Sequence, residues 1–369
     1  MTDCKTGKRV VGVSPRPEVL ASPAAHHGAL DYAELERLGI APDDVLDFSV
    51  NSNPYGPPPA VRRALMGVPL NRYPDRDALA LRRALAHRLG VPMSRIVVGN
   101  GAAELIWLIA LAFVRPGDPV LVIEPTFGEY TRAVALMGAQ VETWTARPER
   151  EFVVEPEEVG RCLQRARPRL LFLCNPNNPT GTVIPPDAIA AWARAHSETL
   201  FVVDEAYLAF APGVRSALDA GLPNVLALRS MTKDYALAGL RLGYAVGQEE
   251  VVAALVGVRP PWSVNAMAQA AGLAALADEE HLKRSLGDLA RAKTALVAGL
   301  RELGLAPLRS AVHFFTVPVG DGAAFRRALL RHRVQVRDCA SFGLPAHVRI
   351  ATRRPEENDR LLAVVREVV

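Results

Sequence analysis

The feature that most constrains the fold is a series of short apolar segments that alternate with helical segments between residues 95 and 247. Val, Ile and Leu fill the apolar segments without polar alternation, which is typical of strands buried on both faces. Because such strands need helices on both sides, the alternation predicts an α/β fold with a mostly parallel sheet covered by helices on both faces. The predicted strands are 95–99, 120–124, 170–174, 200–204, 225–230 and 243–247, and the predicted helices are 75–89, 102–114, 128–138 and 186–196.

The pattern changes in the last third of the chain. A long helical stretch rich in Arg and Glu, at 279–303, precedes predicted strands at 313–317, 334–337 and 348–351 and a last helix from Glu356. This order predicts a smaller α+β C-terminal domain. We expect an N-terminal arm over 1–45, a large domain over 46–265 and the small domain over 266–369.

Composition excludes several classes of protein. Half of the 369 residues are hydrophobic and 22% are charged, which excludes a disordered chain and a coiled coil. A net charge of +4 without a basic block gives no argument for a nucleic-acid partner, although it fits small anionic substrates. The longest apolar run, 105–114, is about half of the roughly 20 residues that a membrane helix needs. The four cysteines lack disulfide and metal-ligand spacings, so we expect reduced thiols, no metal and a cytoplasmic protein.

Glycines and polar residues follow four of the predicted strands, at 99–101, 175–181, 204–207 and 230–233. Open α/β sheets bind ligands at the carboxyl ends of their strands. We therefore expect these four segments to line one crevice.

The first segment, 99–101 (GNG), opens a predicted helix, and the free N–H groups of such a turn attract an anion. Glu104 stands where a dinucleotide-binding turn has its third glycine, and it would prevent close packing of helix and strand. A phosphate site is therefore favoured over a Rossmann dinucleotide site. An ordinary strand–helix turn is the alternative.

The next two segments carry an amide and a carboxylate. Segment 175–181 (NPNNPTG) is a rigid turn that can direct an amide side chain inward. Asp204 ends an apolar strand, where a carboxylate is costly to desolvate without a partner. A cationic ring nitrogen would be such a partner, and a helix-capping role is the alternative.

The fourth segment contains Lys233, which follows a strand and lies among apolar residues. Burial there would lower the pKa of its amine and make it nucleophilic. Ser230 and Arg241 supply a hydroxyl and a guanidinium, the usual ligands of phosphate. A solvated surface lysine is the alternative, but it does not account for this spacing.

Together these motifs resemble the fold-type I pyridoxal-phosphate enzymes, the class I/II aminotransferase family. NPNNPTG, DEAY and S-x-T-K-x-x-x-x-x-G-x-R-x-G-Y occur in the order typical of that family, and the resemblance covers about residues 45–365. It implies an aspartate aminotransferase-like fold and pyridoxal 5′-phosphate as the cofactor. It also implies a homodimer with shared active sites, in which 46–75 contributes to the small domain and to the dimer contacts.

The resemblance also implies roles for individual residues. Lys233 would attach the cofactor and later move protons, and Asp204 would keep the ring nitrogen protonated. Tyr207 and Asn178 would bond the phenolic oxygen of the ring. The residues implied for the cofactor phosphate are Ala102, Ala103, Ser230 and Arg241.

Three further residues receive roles from the resemblance. Phe127 would stack on the cofactor ring, with packing in the core as the alternative. Tyr73 would reach the cofactor phosphate of the neighbouring subunit. Arg349 would bind an anionic group of the substrate.

Two subfamilies fit the flanking sequence: the histidinol-phosphate aminotransferases and the threonine-phosphate decarboxylases of cobalamin synthesis. Both act on phosphorylated amines. The His27-Gly28 pair and the segments 45–51 (VLDFSVN) and 336–344 (VRDCASFGL) are more similar to the decarboxylases, although His-Gly-Ala stands where these more often have His-Gly-Gly. We therefore expect decarboxylation of L-threonine O-3-phosphate to 1-aminopropan-2-ol O-phosphate. Transamination of histidinol phosphate with 2-oxoglutarate is the alternative.

Arg337 and Arg349 lie twelve residues apart on successive predicted strands and form a candidate anion clamp. Asn53, His27 and Tyr32, with Asn178, are the other candidate substrate contacts. A non-catalytic regulator of the same fold is a remote alternative, since no helix-turn-helix precedes the fold and Lys233 is present. A dehydrogenase is more remote, because it leaves Lys233 and Asp204 unexplained.

Overall fold

A computed structural model describes residues 14–21 and 28–369 of the chain. The helices are α1 (Pro17–Ala21), α2 (Tyr32–Leu38), α3 (Pro59–Met66), α4 (Leu79–Leu89), α5 (Gly101–Phe113), α6 (Glu129–Leu136), α7 (Pro156–Ala166), α8 (Pro186–Ala195), α9 (Glu249–Val258), α10 (Ala266–Leu276), α11 (Glu279–Glu302), α12 (Gly322–Arg331) and α13 (Pro355–Val368). The strands are β1 (Leu46–Asp47), β2 (Ile96–Gly99), β3 (Pro119–Glu124), β4 (Gln140–Thr145), β5 (Leu170–Cys174), β6 (Leu200–Asp204), β7 (Val225–Ser230), β8 (Gly243–Val246), β9 (Phe314–Pro318), β10 (Val334–Gln335), β11 (Arg337–Asp338) and β12 (His347–Ala351).

A seven-stranded sheet in the order β2-β8-β7-β6-β5-β3-β4 forms the centre of the molecule. The four pairings from β4 to β7 are parallel, and β8 runs antiparallel to both of its neighbours. Alternate strand residues enter two different cores. Phe172 and Val202 pack with α5 and α6 on one face, whereas Phe201 and Val203 pack with α7 and α8 on the other. The predicted fold class is therefore confirmed.

A second, antiparallel sheet has the order β11-β12-β9 and is formed by strands from the C-terminal part of the sequence. Its apolar face packs against α11, α12 and α13 through residues such as Phe315 and Ile350. Strand β1 pairs in parallel with β10 and brings the 46–51 segment to this part of the molecule. The domain limits expected from the sequence stay a prediction.

Several predicted elements differ from those in the structure. The helix predicted over 75–89 begins at Leu79, because Ala78 has a left-handed φ of 48° and the Asp75 carboxylate accepts the N–H of Leu79 at 2.7 Å. The strand predicted over 334–337 is two short strands, β10 and β11, which belong to different sheets. Strand β4 was not predicted, since its sequence QVETWT is that of a half-exposed edge strand.

Two further observations concern helix length and the cysteines. No helix in the described part of the chain is long and apolar enough to cross a lipid bilayer. Cys162, Cys174 and Cys339 are free thiols, and Cys4 lies outside the described residues.

Candidate active site

A cavity of about 1320 Å³ opens at the carboxyl ends of β5, β6 and β7. The sheet topology explains the position of the cavity, because the carboxyl ends of parallel strands lie at the same edge of the sheet. Most of the residues proposed from the sequence line this cavity. They are Ala102, Ala103, Phe127, Asn178, Asp204, Tyr207, Ser230, Lys233, Arg241, Arg337 and Arg349.

Lys233 lies in the turn after β7 and is held by backbone hydrogen bonds. Its N–H donates to the Ser230 carbonyl at 3.4 Å, and its own carbonyl accepts the N–H of Asn53 at 2.8 Å. Burial, followed by the positive charges of Arg349 and Arg241, lowers the pKa of the Lys233 amine to about 8. The Asp204 carboxylate acts in the opposite direction. A substantial fraction of this amine is therefore neutral near physiological pH.

Asp204 is the last residue of β6 and is 5% exposed. One carboxylate oxygen accepts the hydroxyl of Tyr130 at 2.6 Å, and the other accepts the N–H of Ala206 at 3.0 Å. Burial raises the pKa of Asp204, and the Tyr130 hydrogen bond opposes that rise. Within the described residues Asp204 forms no ion pair, and the Lys233 charge has only a small effect on its pKa. A cationic ligand would supply the missing partner.

Tyr130 is a site residue that the sequence analysis missed. It is fully buried, stacks on Phe172 at 5.3 Å and meets Phe127 edge-on at 5.7 Å. It lies three residues after Phe127 in the segment that follows β3. That position at a strand end was the available signal, but its contact with Asp204 depends on the tertiary fold.

One end of the cavity is shaped to receive an anion. Gly101 begins α5 with a φ of +80°, and a Cβ placed there would lie 2.9 Å from the Arg241 guanidinium. A Cβ on Gly243 would lie 2.5 Å from the backbone nitrogen of Ala102. The two glycines thus allow the first turn of α5 to approach Arg241 and β8. We call this turn, with Ser230, Thr232 and Arg241, the anion cradle.

Hydroxyl groups complete the anion cradle. The Ser230 and Thr232 hydroxyls share a hydrogen bond of 2.6 Å. The Arg241 guanidinium donates to the Ala238 carbonyl at 3.1 Å. Helix N–H groups, hydroxyls and a guanidinium are the groups that bind phosphate in proteins.

The opposite wall of the cavity carries Tyr207, Asn178 and Arg349. Arg349 donates one terminal N–H to the Asn178 amide oxygen and another to the Ser49 carbonyl. The Tyr207 hydroxyl accepts the amide of Asn51 at 3.4 Å, and burial raises its pKa. Asn51, which the sequence analysis did not select, is 1% exposed and lines the cavity.

Two buried arginines lie side by side on neighbouring strands of the small sheet. Arg337 and Arg349 are direct partners in the register of β11 and β12, and each residue is 4% exposed. Burial, together with the charge of Arg349, lowers the pKa of Arg337 to about 10. The Arg337 guanidinium also donates to the Ser341 hydroxyl at 2.6 Å and lies 5.4 Å over the Phe342 ring. Like charges placed opposite each other are unfavourable unless an anion lies between them.

Three candidate residues in the described part of the chain have other positions. Asn53 is buried and donates to the Asp234 carbonyl at 3.0 Å and to the Ser285 hydroxyl at 2.8 Å. Tyr32 begins α2 and is 69% exposed, and Tyr73 is 79% exposed and stacks on Trp262 at 4.6 Å. None of these three described residues lines the cavity. His27 lies outside the described residues.

These observations allow a test of whether the site fits the expected cofactor. Pyridoxal phosphate presents a phosphate, a ring nitrogen that can carry a proton and an aldehyde. The anion cradle matches the phosphate, the buried Asp204 carboxylate matches the protonated nitrogen, and the Lys233 amine matches the aldehyde. The residues present therefore fit this group.

Comparison with known proteins agrees with the fold and the site. The sequence profile of the family "Aminotransferase class I and II" matches residues 43–365. The chain belongs to this family, as its motifs predict.

Similar proteins within the family have names that also state a substrate. A histidinol-phosphate aminotransferase from Symbiobacterium thermophilum is 41% identical over 330 residues, which cover 88% of this chain and 90% of that protein. Histidinol-phosphate aminotransferase 2 from Ralstonia nicotianae is 36% identical, with 95% of this chain and 96% of the relative covered. These relatives support the alternative activity derived from the sequence, and not the decarboxylation that we preferred.

Solved structures of aminotransferases superpose on this chain. Histidinol-phosphate aminotransferase from Sinorhizobium meliloti, in complex with pyridoxal-5′-phosphate, superposes with a TM-score of 0.84 at 28% identity and covers 96% of this chain and 98% of its own. Aspartate aminotransferase from Thermus thermophilus with maleate has a TM-score of 0.83 at 26% identity, with 97% and 100% covered.

Proposed function

We propose that this chain is a pyridoxal-phosphate-dependent aminotransferase that transfers the amino group of histidinol phosphate to 2-oxoglutarate. The observation that carries the proposal is the buried Lys233 amine, which lies in one cavity with the Asp204 carboxylate and the anion cradle. The family and the names of its relatives support the class of reaction. The cytoplasmic location expected from the sequence stays a prediction.

In this proposal each cavity residue has a defined task toward the cofactor. Pyridoxal phosphate, when bound, supplies an electron-withdrawing ring that weakens the bonds to the α-carbon of the substrate amine. Lys233 would attach the cofactor and could then carry a proton on its Nζ atom. Asp204 would keep the ring nitrogen protonated, and Tyr207 and Asn178 would donate to the phenolic oxygen. Phe127 would cover the ring.

The anion cradle fixes the cofactor phosphate. The backbone N–H groups of Ala102 and Ala103 lie in the first turn of α5, where they have no partner inside the helix. The Ser230 hydroxyl and the Arg241 guanidinium add a neutral and a charged donor. Together they would hold the cofactor rigidly while Lys233 changes its bonds.

Arg337 and Arg349 would bind the anionic part of the substrate. Two opposed guanidinium groups, both buried, create a strongly positive site. The phosphate of histidinol phosphate and the carboxylates of 2-oxoglutarate both fit such a site. Both substrates of the proposed transamination can therefore use the same pair of arginines in turn.

Decarboxylation of L-threonine O-3-phosphate is the second candidate function. A specific observation favours keeping it: Ser341 and Phe342 line the cavity, and Ser341 accepts a hydrogen bond from Arg337. These residues belong to the 336–344 segment, whose sequence is more similar to the decarboxylases. The same arginine pair could hold a substrate that carries both a phosphate and a carboxylate.

We also propose a homodimer in which Tyr73 reaches the cofactor phosphate of the partner subunit. Met66 and Leu70, both 82% exposed, lie close in sequence to the exposed Tyr73. Exposed apolar side chains that cluster in this way are typical of protein–protein interfaces. The position of Tyr73 away from the cavity of its own subunit fits this role.

One experiment separates the two functions. Holoenzyme is incubated with histidinol phosphate and 2-oxoglutarate while glutamate is measured, and a parallel sample with L-threonine O-3-phosphate is followed for carbon dioxide. Glutamate formation is the expected result, and Lys233→Ala should be inactive in both samples. Carbon dioxide without glutamate would replace the main proposal by the second candidate. If neither sample forms a product, both proposed substrates are contradicted.

A further inference from the structure

The site-facing side of the small sheet contains a polar residue that no role above uses. Thr316 is the direct partner of Arg349 in the register of β9 and β12, as Arg337 is on the other side. Neighbouring residues Phe315 and Val317 enter the apolar core, so the alternation of a strand turns Thr316 toward the opposite face. Thr316, Arg349 and Arg337 therefore form one row across three strands.

Thr316 and Arg349 each leave one polar atom without a partner. The Thr316 side chain is fully buried, and its Oγ1 atom has no hydrogen-bond partner among the described residues. The Nε atom of Arg349 is likewise buried and unpaired within the described part of the chain. An acceptor and a donor thus lie on directly opposite residues, and burying both unpaired would be costly.

The spacing of the two residues suggests how they pair. Directly opposite residues of an antiparallel pair have Cβ atoms about 4.5–5.5 Å apart, so Thr316 Oγ1 lies close to the stem of the Arg349 side chain. One ordered water molecule can span an acceptor and a donor that do not touch directly.

We propose that Thr316 is a positioning residue for Arg349: an ordered water molecule accepts the Nε–H of Arg349 and donates to the Thr316 hydroxyl oxygen. The inference rests on the proposed role of Arg349 as a ligand of the substrate anion. A guanidinium has five N–H donors. Asn178 and Ser49 take two of them and Thr316 takes a third, which leaves one N–H on each terminal nitrogen for the anion. Thr316 thereby fixes the plane in which a bidentate anion must bind.

The test uses inorganic phosphate as the probe, because its binding does not depend on which reaction the enzyme catalyses. Phosphate binding to the holoenzyme is followed through the visible absorbance of the cofactor. Thr316→Val has nearly the same shape but lacks the hydroxyl, and it should weaken phosphate binding roughly five- to tenfold. Thr316→Ser keeps the hydroxyl and should restore most of the affinity.

Thr352→Val is the matched control. Thr352 is 1% exposed, and its hydroxyl also lacks a partner in the described chain, but it is not opposite Arg349. Its substitution should leave phosphate binding unchanged. Once a substrate is known, Thr316→Val should raise KM for that substrate more than it lowers kcat.

Three results would overturn the inference: unchanged phosphate affinity in Thr316→Val, equal weakening in Thr352→Val, or no recovery in Thr316→Ser. If Thr316→Val does not fold, Thr316→Ala compared with Thr316→Ser provides the same contrast. Failure of the proposed function is distinguishable, because holoenzyme inactive toward both phosphorylated substrates could still be tested for phosphate binding.

Discussion

At the scale of single residues, the chemistry of the site depends on how burial changes two charged groups. The Lys233 amine loses affinity for its proton because it is buried beside two guanidinium groups. The Asp204 carboxylate is also buried, and its hydrogen bond from Tyr130 favours the charged form. The site therefore combines a nucleophilic amine with a carboxylate prepared to face a cation.

The lowered pKa of Lys233 predicts the pH dependence of cofactor uptake. In the proposed role of Lys233 only the neutral amine would attach the cofactor, and its fraction at pH 7 is about one tenth for a pKa of about 8, against less than about one thousandth for an ordinary lysine. Uptake by the apoenzyme should therefore accelerate about tenfold per pH unit below about pH 7, rise less steeply towards pH 8 and level off above about pH 9. The rate is measured from the growth of visible absorbance. A rate that still rises steeply at pH 10 would contradict the lowered pKa, and Lys233→Ala gives the background.

At the scale of secondary-structure elements, the anion cradle depends on the start of α5 as much as on its side chains. Gly101 has a left-handed φ of +80°, and its lack of a side chain makes room for Arg241. Gly117 has a similar φ of +86°, but a Cβ added there would have no atom within 4 Å. Substitutions at the two glycines can therefore distinguish the effect of backbone strain from the effect of crowding in the anion cradle.

Gly101→Ala and Gly117→Ala should each lower the free energy of unfolding by about 1 kcal/mol, because alanine is strained at positive φ. Only Gly101→Ala should also weaken cofactor binding, by roughly tenfold or more, since its methyl group displaces Arg241. Thermal unfolding of the apoenzymes and titration with pyridoxal phosphate measure the two effects. Equal cofactor affinity in both variants would exclude a role of Gly101 in shaping the cradle.

The elements also show what could be predicted from the sequence. The strands β5, β6 and β7 and the polar residues after them were predictable, because a run of Val, Leu and Ile followed by a turn is a local signal. Strand β4 was not, since an edge strand of mixed polarity resembles a loop.

Contacts between distant elements were not predictable. The Tyr130–Asp204 hydrogen bond and the Arg349–Asn178 hydrogen bond join residues 74 and 171 positions apart. No local pattern encodes such pairs, because their geometry is set by how the sheets pack. The motifs therefore predicted most of the residues that line the cavity, whereas the alignment of Thr316, Arg349 and Arg337 required the register of the small sheet.

At the scale of the whole molecule, the proposed dimer can be tested by combining two damaged subunits. Lys233→Ala removes the amine, and Tyr73→Phe removes the hydroxyl proposed to serve the partner's site. In a mixed dimer one of the two sites has both native residues. Random mixing should therefore restore activity in roughly a quarter of all sites, if the interface is shared as proposed.

Activity is compared before and after the two variants are mixed, unfolded and refolded together. A molecular mass in solution of twice the 39.8 kDa of the chain is the accompanying expectation. Mixed samples whose activity equals the average of the separate variants would mean that Tyr73 does not act across the interface. Each variant unfolded and refolded alone serves as the control and should show no gain in activity.

The pairing of β1 with β10 has a consequence for biosynthesis. Leu46 emerges early from the ribosome, and at about 5–20 residues per second the roughly 290 residues that separate it from its partner Val334 take about 15–60 s to make. During that interval β10 has not been synthesised, so the 46–51 segment cannot form its native pairing. This segment includes the Ser49 carbonyl that accepts a hydrogen bond from Arg349 in the folded protein. A nascent chain released between residues 233 and 334 carries Lys233 and Asp204 but neither arginine of the anion clamp. Premature termination there therefore yields a product that has the lysine proposed to attach the cofactor but lacks both arginines proposed to bind an anionic substrate.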